Sequence, residues 1–98
     1  MFKKRSDPKK ELELYRRKID KIDNKLVKLL NERVRLVKIV GEIKKKNNIE
    51  ISQPQREKEV IERMKSRSKL LKNGSIEVIW REIIKACKVF QANGISDN

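Results

Sequence analysis

The sequence contains no histidine, one cysteine, two prolines and three glycines among its 98 residues, and only 4 % of the residues are aromatic. Without histidine the chain cannot form a Ser-His-Asp triad, an imidazole metal site or an imidazole proton shuttle. One cysteine cannot make an internal disulfide or a cysteine-based zinc site, so we expect a reducing, cytoplasmic setting. No apolar run approaches the roughly 18 residues of a membrane span, and no apolar signal segment follows the basic first residues.

Positive charge is what the chain has in excess. Its 27 lysines and arginines stand against 14 acidic residues, which gives a formal net charge of +13. Three interpretations fit this excess: a solvated lysine-rich helical surface, a surface that binds nucleic acid, or a site for small anions. The net charge does not choose among them, so the positions of individual cations must decide.

The first part of the chain has the pattern of one very long helix. Asp7-Pro8 is typical of a helix start, with Asp as the N-cap and Pro in the first turn. From Leu12 to Ile43 the apolar residues recur at spacings of three and four, and we predict a helix over residues 9–46, about 55 Å long. Gly41 lies inside this pattern at a cost of roughly 1 kcal/mol. A chain of this size cannot cover so long an apolar face by itself, so we expect an oligomer.

A second helix is predicted after a short link. Asn47-Asn48 breaks the pattern of the first helix. Pro54 then begins the second helix, with Ser52 or Gln53 as its N-cap. Its apolar residues continue to Leu71, which places that leucine on the second helix.

The turn at residues 72–75, Lys-Asn-Gly-Ser, separates the second helix from a third. Its glycine is the predicted C-cap of the second helix, and its serine is the predicted N-cap of the third. The third helix carries apolar residues from Ile76 to Phe90. Because no segment alternates in the manner of a strand, we predict an all-α chain of three helices. The expected organisation is a flexible basic arm over residues 1–8, a helical domain over residues 9–91 and a flexible tail over residues 92–98.

Two cations interrupt the apolar face of the first helix. Arg33 lies four residues after Leu29 and three before Leu36, where an apolar residue would continue the face. Lys44 lies three helical turns after Arg33, on nearly the same side and about 16 Å away. Together the two side chains could hold a small dianion. The alternatives are an ion pair from Arg33 to a glutamate of a neighbouring helix, a snorkelling Arg33, and an ordinary cationic helix end at Lys44.

Other polar residues also stand at unexpected positions. Arg16 precedes Arg33 by about 25 Å along the helix, so it could share a site only with Arg33 of an antiparallel partner helix. In the first turn of the second helix, Glu57 suits the helix dipole and Arg56 does not. Gln91 extends the inner face of the third helix as a neutral amide, unless it merely ends that face.

Four stretches of the sequence occur in an order typical of a known family. They are Arg16-Arg17-Lys18-Ile19-Asp20-Lys21-Ile22-Asp23, Leu29-Leu30-Asn31-Glu32-Arg33, Gly41-Glu42-Ile43-Lys44 and Pro54-Gln55-Arg56-Glu57. Over about residues 11–91 the chain resembles the all-helical, AroQ-class chorismate mutases. The resemblance implies an intertwined homodimer that rearranges chorismate to prephenate, on the route to phenylalanine and tyrosine. It also implies that no cofactor and no metal are used.

The resemblance further implies a cage of cations and polar groups around the substrate, with Lys44, Gln91 and Arg33 as the catalytic residues. Arg16 would come from the other subunit, and the cations of the home subunit would be Arg33, Lys44 and Arg56. Glu57 would accept a hydrogen bond from the substrate hydroxyl, and Gln91 would join Lys44 at the ether oxygen. Cys87 would approach a substrate carboxylate. Many members have Asp where this chain has Gln53, at a position that is both helix cap and site residue.

Other functions fit parts of the same pattern. An isochorismate-pyruvate lyase has a similar fold and also binds a dianion with cations, so only an assay with both substrates separates the two. A nucleic-acid-binding helical protein would account for the charge and the basic arm, but no recognisable DNA- or RNA-reading motif is present, and we expect neither nucleic acid nor membrane as a partner. A purely structural helical dimer would leave Arg33, Lys44 and Gln91 on inward faces unexplained.

Overall fold

The computed structural model describes residues 7–93, and over that range the chain is helical apart from two short links. The helices are α1 (Pro8–Lys46), α2 (Pro54–Arg67) and α3 (Asn73–Asn93). No strand occurs within residues 7–93, so the prediction of an all-α chain with one very long helix is confirmed. The predicted arm, residues 1–8, and the predicted tail, residues 92–98, lie largely outside the described residues.

The chain divides between Glu32 and Arg33 into two units, and α1 belongs to both. In the first unit, Asp7 caps the helix, because the Lys9 backbone N–H donates to the Asp7 carboxylate at 3.0 Å. Every residue from 7 to 32 is exposed, including the predicted apolar face. Six of its members are half exposed or more: Leu12, Tyr15, Ile19, Ile22, Leu26 and Leu29.

The core lies in the second unit, where α2 and α3 pack against each other. Its most buried apolar side chains are Val60 and Ile61 of α2 and Ile76 and Cys87 of α3. Gly41 is the buried residue of α1. These positions follow from the helical spacing of apolar residues, which turns one face of each helix inward.

The C-terminus of α1 has the geometry of a Schellman motif. Asn48 adopts a left-handed conformation with φ of 54°. The Ile49 N–H then donates to the Lys44 carbonyl at 2.8 Å, and the Asn48 N–H donates to the Lys45 carbonyl at 3.5 Å. Asparagine tolerates this conformation better than most residues. The predicted break at residues 47–48 is therefore confirmed, and it directs the chain back toward α2.

The predicted junction between α2 and α3 is wrong by several residues. Helix α2 ends at Arg67, and Ser68 is extended, so Leu71 does not lie on a helix. The Ser68 hydroxyl donates to the Leu71 carbonyl at 2.8 Å, and this local bond competes with helix continuation. Leu70 is 97 % exposed, so no packing holds this segment in a helix. Helix α3 already begins at Asn73, which places the glycine and serine of the predicted turn within its first turn.

Candidate active site

The second unit contains a cavity of about 180 Å³ bounded by α1, the link before α2, and the facing sides of α2 and α3. Seven of the eight predicted site residues line it: Arg33, Lys44, Gln53, Arg56, Glu57, Cys87 and Gln91. The eighth, Arg16, belongs to the first unit and has an exposed side chain. Residues that are far apart in the sequence thus surround one small volume.

Lys44 and Gln91 form the polar contact between α1 and α3 at this cavity. The Lys44 ammonium donates to the Gln91 amide oxygen at 2.9 Å, and to the Ile51 carbonyl at 2.9 Å. Both bonds are partly buried, so solvent weakens them less than a surface contact. The bond from Lys44 occupies the amide oxygen and fixes the orientation of the amide, whose NH2 group is its hydrogen-bond donor.

Gly41 allows α1 and α3 to approach closely at this contact. A Cβ atom on Gly41 would lie 2.7 Å from the Gln91 Cα and 3.1 Å from the Gln91 carbonyl oxygen. Glycine is therefore required at this position by its missing side chain. Helix propensity alone predicts only a cost in helix stability for Gly41. Its position one turn before Lys44, within the apolar spacing of the helix, is the available signal of close packing.

Lys88 is a cavity residue that the sequence analysis missed. It lies on α3, three residues before Gln91, and its ammonium is 2.5 Å from a carboxylate oxygen of Glu57. The same ammonium donates to the Ser52 hydroxyl at 3.4 Å. Its spacing of four from Ile84 places it near the inner face of α3, which was a weak signal among so many lysines.

The cations of the cavity differ in how they are held. Arg33 is partly buried, and within residues 7–93 it makes no ion pair, so the expected alternative of a glutamate partner is not found in this part of the chain. Arg56 is exposed and lies 4.0 Å from Glu59 of the same helix, which is a weak contact. With Lys44 and Lys88, and Glu57 as the lining carboxylate, the cavity has a net charge of +3.

The two remaining predicted site residues that line the cavity are Cys87 and Gln53. Cys87 is only 3 % exposed, so its thiol faces the cavity from the core. Gln53 is the N-cap residue of α2, but its side chain makes no capping hydrogen bond. Its amide is therefore not engaged by the helix that follows.

A separate ionic cluster joins α2 to α3 away from the cavity. Lys65 lies 2.8 Å from Glu77, and Arg81 lies 2.7 Å from the other oxygen of the same carboxylate. The hydrogen bond from Lys65, followed by that from Arg81, lowers the pKa of Glu77 to about 2. The hydrogen bond to Glu77 raises the pKa of Lys65.

Two other kinds of site are not found within residues 7–93. None of the three helices is both long enough and apolar enough to cross a membrane. Over the same range no three cysteine or carboxylate side chains are grouped so as to hold a metal ion.

Comparison with known proteins identifies the family. Residues 15–92 match the family model described as chorismate mutase type II. The chain belongs to this family. The match covers parts of all three helices, including every residue that lines the cavity. The resemblance inferred from the four sequence stretches is thereby confirmed.

Curated relatives of this chorismate mutase type II chain include a bifunctional chorismate mutase/prephenate dehydratase from Aquifex aeolicus, 43 % identical over 82 residues. They also include a chorismate mutase from Methanocaldococcus jannaschii, 45 % identical over 62 residues. The matches cover 79 % and 63 % of this chain. They span 23 % and 60 % of the relatives, so the chain matches less than two thirds of either protein.

Solved structures agree on the architecture. A chorismate mutase (form II) from Thermus thermophilus superimposes with a TM-score of 0.84, covering 88 % of this chain and 99 % of that one. Its identity of 22 % supports the shared fold alone. A conserved hypothetical protein from Pyrococcus furiosus has a TM-score of 0.71 and 34 % identity, over 83 % of this chain and 95 % of that one.

Proposed function

We propose that the chain is a chorismate mutase, an isomerase that rearranges chorismate to prephenate for the synthesis of phenylalanine and tyrosine in the cytoplasm. Its family membership and the names of both curated relatives support this activity. The observation that carries the proposal is the cavity with a net charge of +3, in which a lysine and an amide are held together at one end.

The reaction matches the chemistry of these side chains. In this Claisen rearrangement one C–O bond breaks while one C–C bond forms, and no proton transfer or nucleophile is required. The protein must hold a compact conformer of a dianion and place positive charge where negative charge grows. Guanidinium groups bind carboxylates through paired hydrogen bonds, so Arg33 and Arg56 can fix that conformer. Fixing it removes part of the entropic barrier.

Lys44 and Gln91 are the proposed donors to the ether oxygen of chorismate. Negative charge develops on that oxygen as the C–O bond breaks, so donors placed there stabilise the transition state more than the ground state. Losing one of them should cost roughly 3 kcal/mol, or about 10²-fold in rate. The bond from Lys44 to the Gln91 amide oxygen supports this role, because it fixes the orientation of the amide, whose NH2 group is the donor.

Three further residues of the cavity, Glu57, Cys87 and Gln53, complete the proposed contacts with the substrate. Glu57 accepts a hydrogen bond from the substrate hydroxyl, Cys87 approaches a carboxylate from the core side, and Gln53 contributes a neutral amide at the start of α2. No cofactor or metal takes part in these steps.

We also propose that the active form is an intertwined homodimer in which Arg16 of one subunit completes the site of the other. The apolar face of the first unit, exposed from Leu12 to Leu29, supports this arrangement. Contiguous apolar surface of this kind marks a protein interface in soluble proteins.

The test is depletion of chorismate by the purified chain, followed by its ultraviolet absorbance, with Arg33→Ala compared against Arg35→Ala. Arg35 is exposed on the same helix and is not a cavity residue. We expect turnover by the wild type, a loss of about 10- to 100-fold in kcat/KM for Arg33→Ala, and little change for Arg35→Ala. Turnover of isochorismate instead of chorismate would favour the lyase, and equal losses in both variants would contradict the site.

A further inference from the structure

Lys88 is a fourth cation at the cavity, and the contacts proposed above between the other residues and chorismate give Lys88 no role. It projects from α3 toward the start of α2, where its ammonium meets the Glu57 carboxylate at 2.5 Å and the Ser52 hydroxyl at 3.4 Å. Both charged side chains are about one third exposed, so the pair is neither buried nor freely solvated. Lys88 thus joins three segments of the chain at the edge of the cavity.

Glu57 presents an electrostatic problem for a site that binds a dianion. It is the lining carboxylate of a cavity of about 180 Å³ that also contains Arg33, Lys44 and Arg56. A carboxylate without a partner in such a space is drawn to the nearest cations. It would then occupy the same donors that a substrate carboxylate needs.

The ion pair with Lys88 neutralises the Glu57 carboxylate within the cavity. Lys88 approaches Glu57 from α3 and gives it a close partner, so the carboxylate has no need of the other cations. Arg56 is correspondingly free, because its contact with Glu59 is 4.0 Å long and exposed to solvent. Arg33 makes no ion pair within residues 7–93.

We propose that Lys88 is a positioning residue that neutralises Glu57 and keeps Arg33, Lys44 and Arg56 available to a dianionic substrate. This proposal rests on the chorismate mutase function proposed above. It differs from a direct contact between Lys88 and the substrate, because Lys88 acts through Glu57.

The variant that removes the charge is Lys88→Met, and the matched control is Lys85→Met. Lys85 lies on the same helix, is exposed, and is not part of this cavity, so its replacement makes the same change in net charge. We expect Lys88→Met to raise KM about tenfold relative to Lys85→Met, as it would if Glu57 occupied the cations nine tenths of the time. We expect kcat to change by less than about twofold, because bound substrate contacts the same cations in the variant as in the wild type. Lys88→Arg should restore KM, since it retains the charge and the reach.

The decisive comparison repeats Lys88→Met in a Glu57→Gln background. The amide introduced there can still accept a hydrogen bond but is not drawn to the cations. If Lys88 acts through Glu57, the tenfold rise in KM falls below about twofold. A tenfold rise that persists would overturn the proposal, because it would show Lys88 acting on the substrate directly.

Other results also decide the matter. A KM for Lys88→Met within twofold of Lys85→Met, in protein shown to be folded by circular dichroism, overturns the role of Lys88 and leaves the mutase function standing. Should Lys88→Met not fold, Lys88→Gln replaces it under the same criteria. A wild-type chain that does not turn over chorismate overturns both proposals together.

Discussion

Replacing Gly41 with alanine tests whether close approach of two helices positions Gln91. The added methyl group would lie 2.7 Å from the Gln91 Cα and 3.0 Å from its Cβ. Ordinary contact between carbon atoms is about 3.5 to 4.0 Å, so α1 and α3 must separate by roughly 1 Å. The obstacle is backbone, so a change of side-chain rotamer cannot relieve it.

For Gly41→Ala we expect a small loss in the free energy of unfolding and a large loss in kcat. Alanine favours the helix over glycine by about 1 kcal/mol, whereas overpacking costs about 1–3 kcal/mol. The free energy of unfolding should therefore fall by no more than about 2 kcal/mol. The bond from Lys44 to Gln91, now 2.9 Å, would lengthen beyond hydrogen-bonding distance after a shift of roughly 1 Å. Displacements of that size in a catalytic group cost about 10²-fold in rate, so we expect kcat to fall by about 10- to 100-fold.

The assay measures kcat with chorismate and the free energy of unfolding in urea for Gly41→Ala and for Gly74→Ala. A Cβ on Gly74 would meet nothing within 4 Å, so this control should be as stable as the wild type or slightly more so, with unchanged kcat. Adding Gly41→Ala to a Gln91→Ala chain should cost little more, since the two changes affect the same donor. If Gly41→Ala alone retains kcat within threefold, the positioning argument is wrong.

Three further predictions concern pH and the subunit interface. The turnover rate of the wild type should change little between about pH 5 and 8, because an amide donates at every pH. Gln91→Glu should move the pH optimum of turnover to lower pH, because a carboxyl group donates only when it is protonated. A pH profile that this variant leaves unaltered would remove Gln91 from the site. Arg16→Ala and Arg33→Ala chains, each with strongly reduced turnover alone, should regain activity when refolded together, because one site of the mixed dimer keeps both arginines; demonstrated exchange without recovery would refute sharing. The pKa of Glu77 is lowered from 4.5 to about 2 by Lys65 and Arg81, so its contribution to stability is present above pH 4.5 and is lost as the pH falls toward 2. The difference in urea midpoint between wild type and Glu77→Gln should shrink over that range, and a constant difference would contradict the ion pairs.

The helices were predictable where local rules and packing agree. A cap at Asp7, an apolar spacing of three and four residues that is interrupted at Arg33, and an Asn pair at the end together predict α1, and the structure gives Pro8–Lys46. Between α2 and α3 the same rules mislead, because Leu71 continues the spacing of the apolar residues but lies beyond the end of α2 at Arg67. A leucine in the right register is no guide by itself, because the Ser68 hydroxyl bonds to the Leu71 carbonyl and this local bond competes with helix continuation.

The site was predictable only in part, for a physical reason. Arg33 and Gln91 could be singled out because each occupies a position where the helical pattern calls for an apolar residue. The contact between Lys44 and Gln91 joins residues 47 apart, and periodicity contains no information on which faces meet. Gly41 matters through an atom that it lacks, and Lys88 is one basic residue among 27 until its partner is known.

For the proposed binding of a dianion, we expect the net charge of the chain to contribute less than the walls of one cavity. Cations exposed to water attract an anion at 4 Å by only about 1 kcal/mol, and salt screens them beyond about 8 Å. Three of the four cations of the cavity, Arg33, Lys44 and Lys88, are instead partly buried, and the cavity that they line includes hydrocarbon from Val37, Val60 and Ile84. Walls of this kind lower the local dielectric and concentrate the field of the charges between them. In the proposed site, apolar periodicity therefore matters to anion binding as much as lysine content does, since it places a few charged residues against those walls.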